Sequence, residues 1–137
     1  MTARFELRID GVLENLSLIS VFISDSMIAS GLDARKIFEV QLAVDEACTN
    51  IIKHGYANEA GTIDIICCMM DGEFVVVIKD EGKHFDPMSV QPPDLNASLE
   101  ERQIGGLGVH LIKSMMDEVR YEFIDEKNVL TMVARCR

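Results

Sequence analysis

The sequence predicts an α+β domain in which about three helices pack on a sheet of about five strands. Two apolar runs, residues 62–70 and 73–80, flank a turn signal, a long amphipathic helical pattern precedes them, and a helix followed by two further strand patterns comes after residue 104. A chain of 137 residues fits one domain with its own hydrophobic core. We therefore expect a single domain over residues 1–137.

The first third of the chain predicts a strand and two helices. Residues 4–9 alternate apolar and polar side chains, as a half-buried strand does. Apolar residues then recur at helical spacing up to Gly31, which can cap the first helix. Asp33 can cap a second helix that runs to about His54. One face of this second helix is an apolar stripe, and the opposite face is polar: Glu39, Glu46, Asn50, Lys53 and His54.

The middle of the chain predicts a hairpin whose turn is Asp71-Gly72. Its two strands are nearly continuous apolar runs, which favours burial on both faces. Beyond it, periodicity disappears between Glu81 and Ile104. A connection of that length is uncommon in a compact domain and is typical of a lid, a binding loop or a disordered segment.

A third helix and a second hairpin complete the predicted fold. The helix, residues 105–117, is apolar most of the way round and is expected to be buried. The strands at 118–125 and 128–136 are expected to join at Glu126-Lys127.

Charge and composition narrow the classes of partner. The net charge of −10 disfavours nucleic acid and anionic membrane surfaces. No apolar run reaches the length of a signal peptide core or a membrane span, so a cytoplasmic protein is expected. The four cysteines show no CxxC spacing and are expected to be small apolar residues in a reducing compartment.

Three segments contain residue types suited to a chemical site, although each also has a structural explanation. Glu46 and Asn50 lie one turn apart on the polar helix face, which solvation alone could explain. Asp80 and Gly82 follow a buried strand, where a plain turn is common. The glycines in IGGLGVHL, residues 104–111, could serve close packing or present bare N–H groups to phosphate oxygens.

The order of these segments resembles the Bergerat-type (GHKL) ATP-binding family. DEACTNIIKHGY and GGLGVHLIKSMMDEV are most similar to its small anti-sigma-factor serine kinases, and the similarity covers nearly the whole chain. The resemblance implies a two-layer α/β sandwich, with a mixed, mostly antiparallel sheet covered on one face by about three helices. It also implies a long ATP lid at about residues 83–104.

The same resemblance implies ATP and Mg²⁺ as cofactors and assigns residues to them. Asn50 is expected to bind the Mg²⁺ that bridges the phosphates, a role suited to a hard oxygen ligand. Glu46 is expected to activate the attacking hydroxyl. Asp80 should accept a hydrogen bond from the adenine amino group, and Gly82 should let the backbone approach the base.

Further roles concern the phosphates and the far side of the base. The amides of Gly105, Gly106 and Gly108 are expected to bind phosphate oxygens, and Arg102 to stabilise the transferring phosphate. Thr131 matches the position where family members place a hydroxyl near adenine. One departure is His84, which stands where many relatives have a second glycine after the aspartate and puts a backbone contact there in question.

The function implied is a serine/threonine protein kinase that phosphorylates a small anti-sigma-antagonist (STAS-type) protein and can sequester a sigma factor, with the protein acting as a homodimer. The alternative is a nucleotide-dependent binding module that transfers no phosphate. Retention of Glu46 favours the kinase, because nucleotide binding alone requires no general base.

Overall fold

The computed structural model of the protein describes residues 3–84 and 106–136, which form one five-stranded sheet and three α-helices. The strand order is β1-β2-β3-β5-β4. The elements are β1 (Ala3–Asp10), α1 (Leu16–Ala29), α2 (Ala34–Asn50), β2 (Thr62–Met70), β3 (Glu73–Asp80), α3 (Gly106–Met115), β4 (Glu118–Ile124) and β5 (Lys127–Arg135). The α+β prediction is confirmed, but every described strand pair is antiparallel, so the sheet is not mixed in this part of the chain.

The helix ends follow the predicted signals with one addition. The Asp33 side chain accepts the Lys36 N–H at 2.9 Å and caps α2, and Gly31 has φ +81° just beyond α1. Regular α-helix ends at Asn50, and Ile51–Gly55 form a π-helical turn. Such turns are rare and occur frequently at functional sites.

The turns fix the register of both hairpins. Asp71 and Gly72 have φ of 52° and 76°, as the two central residues of a type I′ hairpin turn require. In the second hairpin the corresponding residues are Asp125 and Glu126, with φ of 53° and 61°. The turn predicted at Glu126-Lys127 was therefore wrong by one residue. Lys127 already belongs to β5, where it pairs with Ile124, and the two residues with left-handed backbone come before it.

Burial alternates along the central strands, so the prediction of burial on both faces was wrong. On β2 and β3 every second residue belongs to the core that α1 and α2 cover, including Ile65, Phe74 and Val76 at 0% exposure. Side chains on the other face, such as Ile66 and Val77, are half-buried because neighbouring side chains shield them. The described part of α3 also differs from expectation, since His110, Lys113 and Ser114 are exposed.

Two of the four cysteines lie in the core. Cys48 and Cys67 are buried, and burial raises the pKa of the Cys67 thiol to about 12. Cys68 and Cys136 are half-buried. Across residues 3–84 and 106–136, none of the helices has both the length and the apolar character that crossing a membrane requires.

Candidate active site

A cavity of about 440 Å³, counted with its solvent-open part, lies between α2, α3 and one end of the sheet. Most of its wall is apolar, and a few polar side chains enter it, the usual character of a small-molecule site. The apolar residues are Ala47, Ile51, Ile112, Tyr121 and Leu130, and the polar ones include Asn50, Asp80 and Asn128. Segments far apart in sequence therefore meet at one cavity.

Asp80, the last residue of β3, provides a buried acceptor in this wall. The side chain is 5% exposed, and its Oδ1 accepts the Gly82 N–H at 2.9 Å and the Asn128 amide at 3.0 Å. Burial raises the pKa of the carboxyl group, whereas these two hydrogen bonds lower it. Among the described residues Oδ2 has no hydrogen-bond donor, so it can accept one from a ligand.

The turn after Asp80 is locked against the π-helical turn. The Lys83 N–H donates to the Gly55 carbonyl at 2.8 Å. A Cβ at position 82 would lie 2.8 Å from the Gly55 carbonyl carbon and 3.0 Å from Asp80 Oδ1. Glycine is therefore required at position 82 by the approach of the Gly55 backbone, a reason that the sequence did not show.

We expect Gly82→Ala to destabilise the protein by about 1–3 kcal/mol, because the added methyl group overpacks a contact with main-chain atoms. Urea unfolding measures the difference. Gly55→Ala is the matched control, since its Cβ would meet Asp80 Oδ1 and Ile51 Cγ2 at 3.8 Å, an ordinary contact distance. Equal stability of the two variants would contradict this explanation.

Tyr56 fastens the end of the helical segment to the sheet. Its hydroxyl donates to the Thr62 carbonyl at 2.6 Å and accepts the Glu81 N–H at 2.9 Å. Its ring packs on Gly61, where a Cβ would lie 2.2 Å from Cε1. Tyr56 directly follows the π-helical turn, so these contacts hold that turn against the start of β2 and the end of β3. Nothing in the local sequence pattern predicted this role of Tyr56.

Asn128 is a second residue whose role the sequence pattern did not predict. It is 6% exposed, and its side-chain NH₂ contacts three oxygens: Asp80 Oδ1 at 3.0 Å, and the Gly82 and Lys83 carbonyls at 3.2 Å. Its Oδ1 accepts a hydrogen bond from the Tyr121 hydroxyl. The only sequence signal was a polar amide at the start of an otherwise apolar strand.

Thr131 does not join this cavity. Successive residues of a strand point to opposite faces of the sheet, and Asn128 and Leu130 line the cavity. Thr131 therefore lies on the other face, paired with Val77 of β3 and Arg120 of β4. This register turns Thr131 away from the cavity, although a contact with adenine was expected of it, and the side chain beside Asp80 is that of Asn128.

Of the polar face of α2, Asn50 reaches the cavity and Glu46 lies one turn before it. Asn50 lines the cavity, and Glu46 is half-buried one turn before it, about 6 Å along the helix axis. Neither side chain makes a hydrogen bond or ion pair with the described residues, so both are available to a ligand.

The other predicted site residues lie partly outside the described structure. Gly106 and Gly108 belong to the first turn of α3, whose later residue Ile112 reaches the cavity. Gly105 and Arg102 lie outside the described residues, as does nearly all of the predicted lid at 83–104.

The described residues fit a magnesium nucleotide. An apolar slot with one buried, unpartnered acceptor suits a flat base with an N–H donor, and the Asn50 amide oxygen suits a hard cation. Within residues 3–84 and 106–136 no cluster of three His, Cys, Asp or Glu side chains could hold a metal. Phosphate and water oxygens would supply the remaining magnesium ligands, as is usual for this ion.

Comparison with known proteins agrees with this architecture. The family model described as a histidine kinase-like ATPase domain matches residues 11–134. The chain is 35% identical over 120 residues to serine-protein kinase RsbW of Staphylococcus aureus strain MSSA476, covering 83% of this chain and 76% of the relative. It is 28% identical over 121 residues to serine-protein kinase RsbW of Bacillus cereus strain ATCC 10987, covering 85% and 76%.

A solved structure shares the fold. The crystal structure of the RsbU and RsbW domains of Rv1364c from Mycobacterium tuberculosis matches 97% of this chain with a TM-score of 0.71 and 15% identity. The match covers 32% of the chain in that structure, so the likeness concerns the fold of one of its parts.

Proposed function

The chain belongs to the histidine kinase-like ATPase domain family, and from this premise we propose that it is an ATP- and Mg²⁺-dependent protein serine/threonine kinase. The observation that supports this most is the cavity, whose wall contains both buried Asp80 and Asn50, one helical turn after Glu46. Among the described residues, Asp80 Oδ2 and the Asn50 amide have no hydrogen-bond partner. The serine-protein kinases among its relatives support the same reaction.

The nucleotide is held by groups of different chemistry. The apolar walls take the base, and Asp80 Oδ2 accepts a hydrogen bond from its amino group. The N–H groups of Gly106 and Gly108, at the positive end of the α3 dipole, bind phosphate oxygens. Gly105 and Arg102 complete this phosphate site in the proposal.

Phosphate transfer needs a metal site and a base. Asn50 provides the protein's oxygen ligand to Mg²⁺. When bound, the ion supplies positive charge that offsets the repulsion between the nucleotide phosphates and a protein of net charge −10. Glu46 accepts the proton of the substrate hydroxyl as the oxygen attacks the γ-phosphorus and ADP leaves.

The substrate in this proposal is a serine or threonine of a small anti-sigma-antagonist protein of the STAS type. A sigma factor is the second protein partner, and the kinase acts in the cytoplasm as a homodimer. These partners rest on the family resemblance.

The test is incubation of the purified protein with Mg²⁺, γ-labelled ATP and antagonist-type proteins encoded nearby. Label on a serine or threonine of one of them supports the kinase. ATP binding without transfer to any of them supports the second candidate, a regulatory binding module, which needs the same cavity but no general base.

We expect Asp80→Asn to weaken ATP binding about 10- to 100-fold, the range for loss of a hydrogen bond to a charged group. The same Asp80→Asn change should raise the free energy of unfolding near pH 7. Burial raises the pKa of Asp80, so the folded state binds the proton more tightly than the unfolded state does. Stability is therefore lost as the pH rises above the pKa that Asp80 has in the unfolded state. Asn cannot ionise, so it avoids that loss while its Oδ1 can still accept both hydrogen bonds. Calorimetric titration and urea unfolding test the two effects, and a variant less stable than wild type would contradict the second.

A further inference from the structure

We propose that Tyr121 and Asn128 are positioning residues that keep Asp80 a hydrogen-bond acceptor. The cavity thereby selects a base whose ring carries an amino group opposite Asp80 over a base that carries a carbonyl group there. The geometry behind this is a chain of hydrogen bonds from the Tyr121 hydroxyl through the Asn128 amide to Asp80 Oδ1. The inference rests on the proposed function, because it presupposes that a nucleotide base enters the cavity.

The orientation of the Asn128 amide follows from its neighbours. Its nitrogen is surrounded by three oxygens, which are acceptors, and its oxygen faces the Tyr121 hydroxyl, which is a donor. Turned by 180°, the amide would place its carbonyl oxygen against the Asp80 carboxylate and two main-chain carbonyls. Acceptors facing acceptors repel, so the surroundings specify one orientation.

This orientation decides what Asp80 can offer a ligand. The carboxyl group is 5% exposed, and burial favours its protonated form, in which one oxygen becomes a donor. The N–H donors of Asn128 and Gly82 oppose this by stabilising the carboxylate at Oδ1. With both donors in place Asp80 presents only acceptors, and its free Oδ2 requires an N–H from the base.

A carbonyl group on the base would then face a carboxylate oxygen, and neither could donate. If the Asn128 donor is lost, the buried carboxyl group is more easily protonated and can donate to such a carbonyl group. Selection between the two kinds of base should therefore depend on Asn128 directly and on Tyr121 through it. In this selection both act through Asp80, whose carboxylate accepts the hydrogen bond from the base, although the Tyr121 ring also belongs to the apolar wall.

The experiment compares dissociation constants of the full chain for Mg·ATP and Mg·ITP, whose bases carry an amino group and a carbonyl group at the same ring position. We expect wild type to prefer ATP. Asn128→Ala should reduce the ITP-to-ATP ratio of dissociation constants about tenfold, and Tyr121→Phe, which keeps the ring, about threefold. Phe123→Leu is the control, because Phe123 lies on the same strand and face but outside the cavity wall and the hydrogen-bond chain, and the ratio should not change.

The ratio separates positioning from a general structural role. A loosened cavity would weaken binding of both nucleotides alike, so folded variants with an unchanged ratio would overturn the inference. If Asn128→Ala fails to fold, Tyr121→Phe decides. Equal binding of ATP and ITP by wild type overturns this inference and leaves the proposed function standing, whereas binding of neither nucleotide refutes the proposed function itself.

Discussion

Glu46→Gln is expected to leave ATP affinity within about twofold of wild type and to reduce phosphate transfer about 10²- to 10⁴-fold, the usual contribution of a general base. Gln keeps the size and polarity of the side chain but cannot take the proton of a hydroxyl group. Affinity is spared because Glu46 does not line the cavity wall and makes no described hydrogen bond. Calorimetric titration measures binding, and single-turnover transfer from γ-labelled ATP measures the chemical step.

Glu39→Gln is the matched control for this prediction. Glu39 lies seven residues earlier on the same face of α2 and forms an ion pair with Lys36 at 3.9 Å, remote from the cavity. The control removes the same charge from the same helix, and its transfer rate should stay near that of wild type. Equal loss of binding and transfer in Glu46→Gln, with the fold intact, would refute the separate role of Glu46.

Asn50→Ala is expected to reduce Mg²⁺-dependent nucleotide affinity at least about 100-fold. Loss of a residue that only supports a metal ligand typically costs 10- to 100-fold in metal affinity, so loss of the ligand itself should cost as much or more. Asn50 lines the cavity, and the described residues offer no cluster of carboxylates to replace it. Titration of ATP with and without Mg²⁺ isolates the effect, because affinity without the metal should change little.

Two further substitutions show whether the oxygen of Asn50 is what matters. Thr49→Ala changes the neighbouring residue, whose hydroxyl donates to the Asp45 carbonyl within the helix and is not part of the cavity wall, so affinity should be retained. Asn50→Asp keeps an oxygen ligand of the kind that Mg²⁺ prefers and should keep much of the metal dependence. The same loss in Asn50→Asp as in Asn50→Ala would argue against metal binding by Asn50.

Local patterns in the sequence predicted most of the architecture. The cap at Asp33, the glycine at 31 and the turn at Asp71-Gly72 all lie where the sequence placed them. The pairing of Glu46 with Asn50 on one helix face also followed from spacing alone. Such features depend on residues close together in the chain, because helical and strand periodicity are properties of a single element.

Features that depend on contacts between elements far apart in the chain could not be predicted from local sequence patterns. The sequence did not show that the register of β5 against β3 and β4 turns Thr131 to the face opposite the cavity, and a shift of one residue would have reversed this orientation. The prediction that both sheet faces are buried failed for a related reason. An apolar run does not show which of its two faces the helices cover.

The chain's own sequence thus specifies the order of the elements, their caps and turns, and the types of side chain available for a magnesium nucleotide. The fold alone places Asp80 beside Asn128, presses Gly82 against the Gly55 backbone and brings the Asp80 carboxylate into the wall of an apolar cavity. The difference lies in the range of the interactions. Caps, turns and periodicity act within a few residues, whereas burial, hydrogen-bond partners across the sheet and the shape of a cavity arise only when segments far apart in the chain pack together.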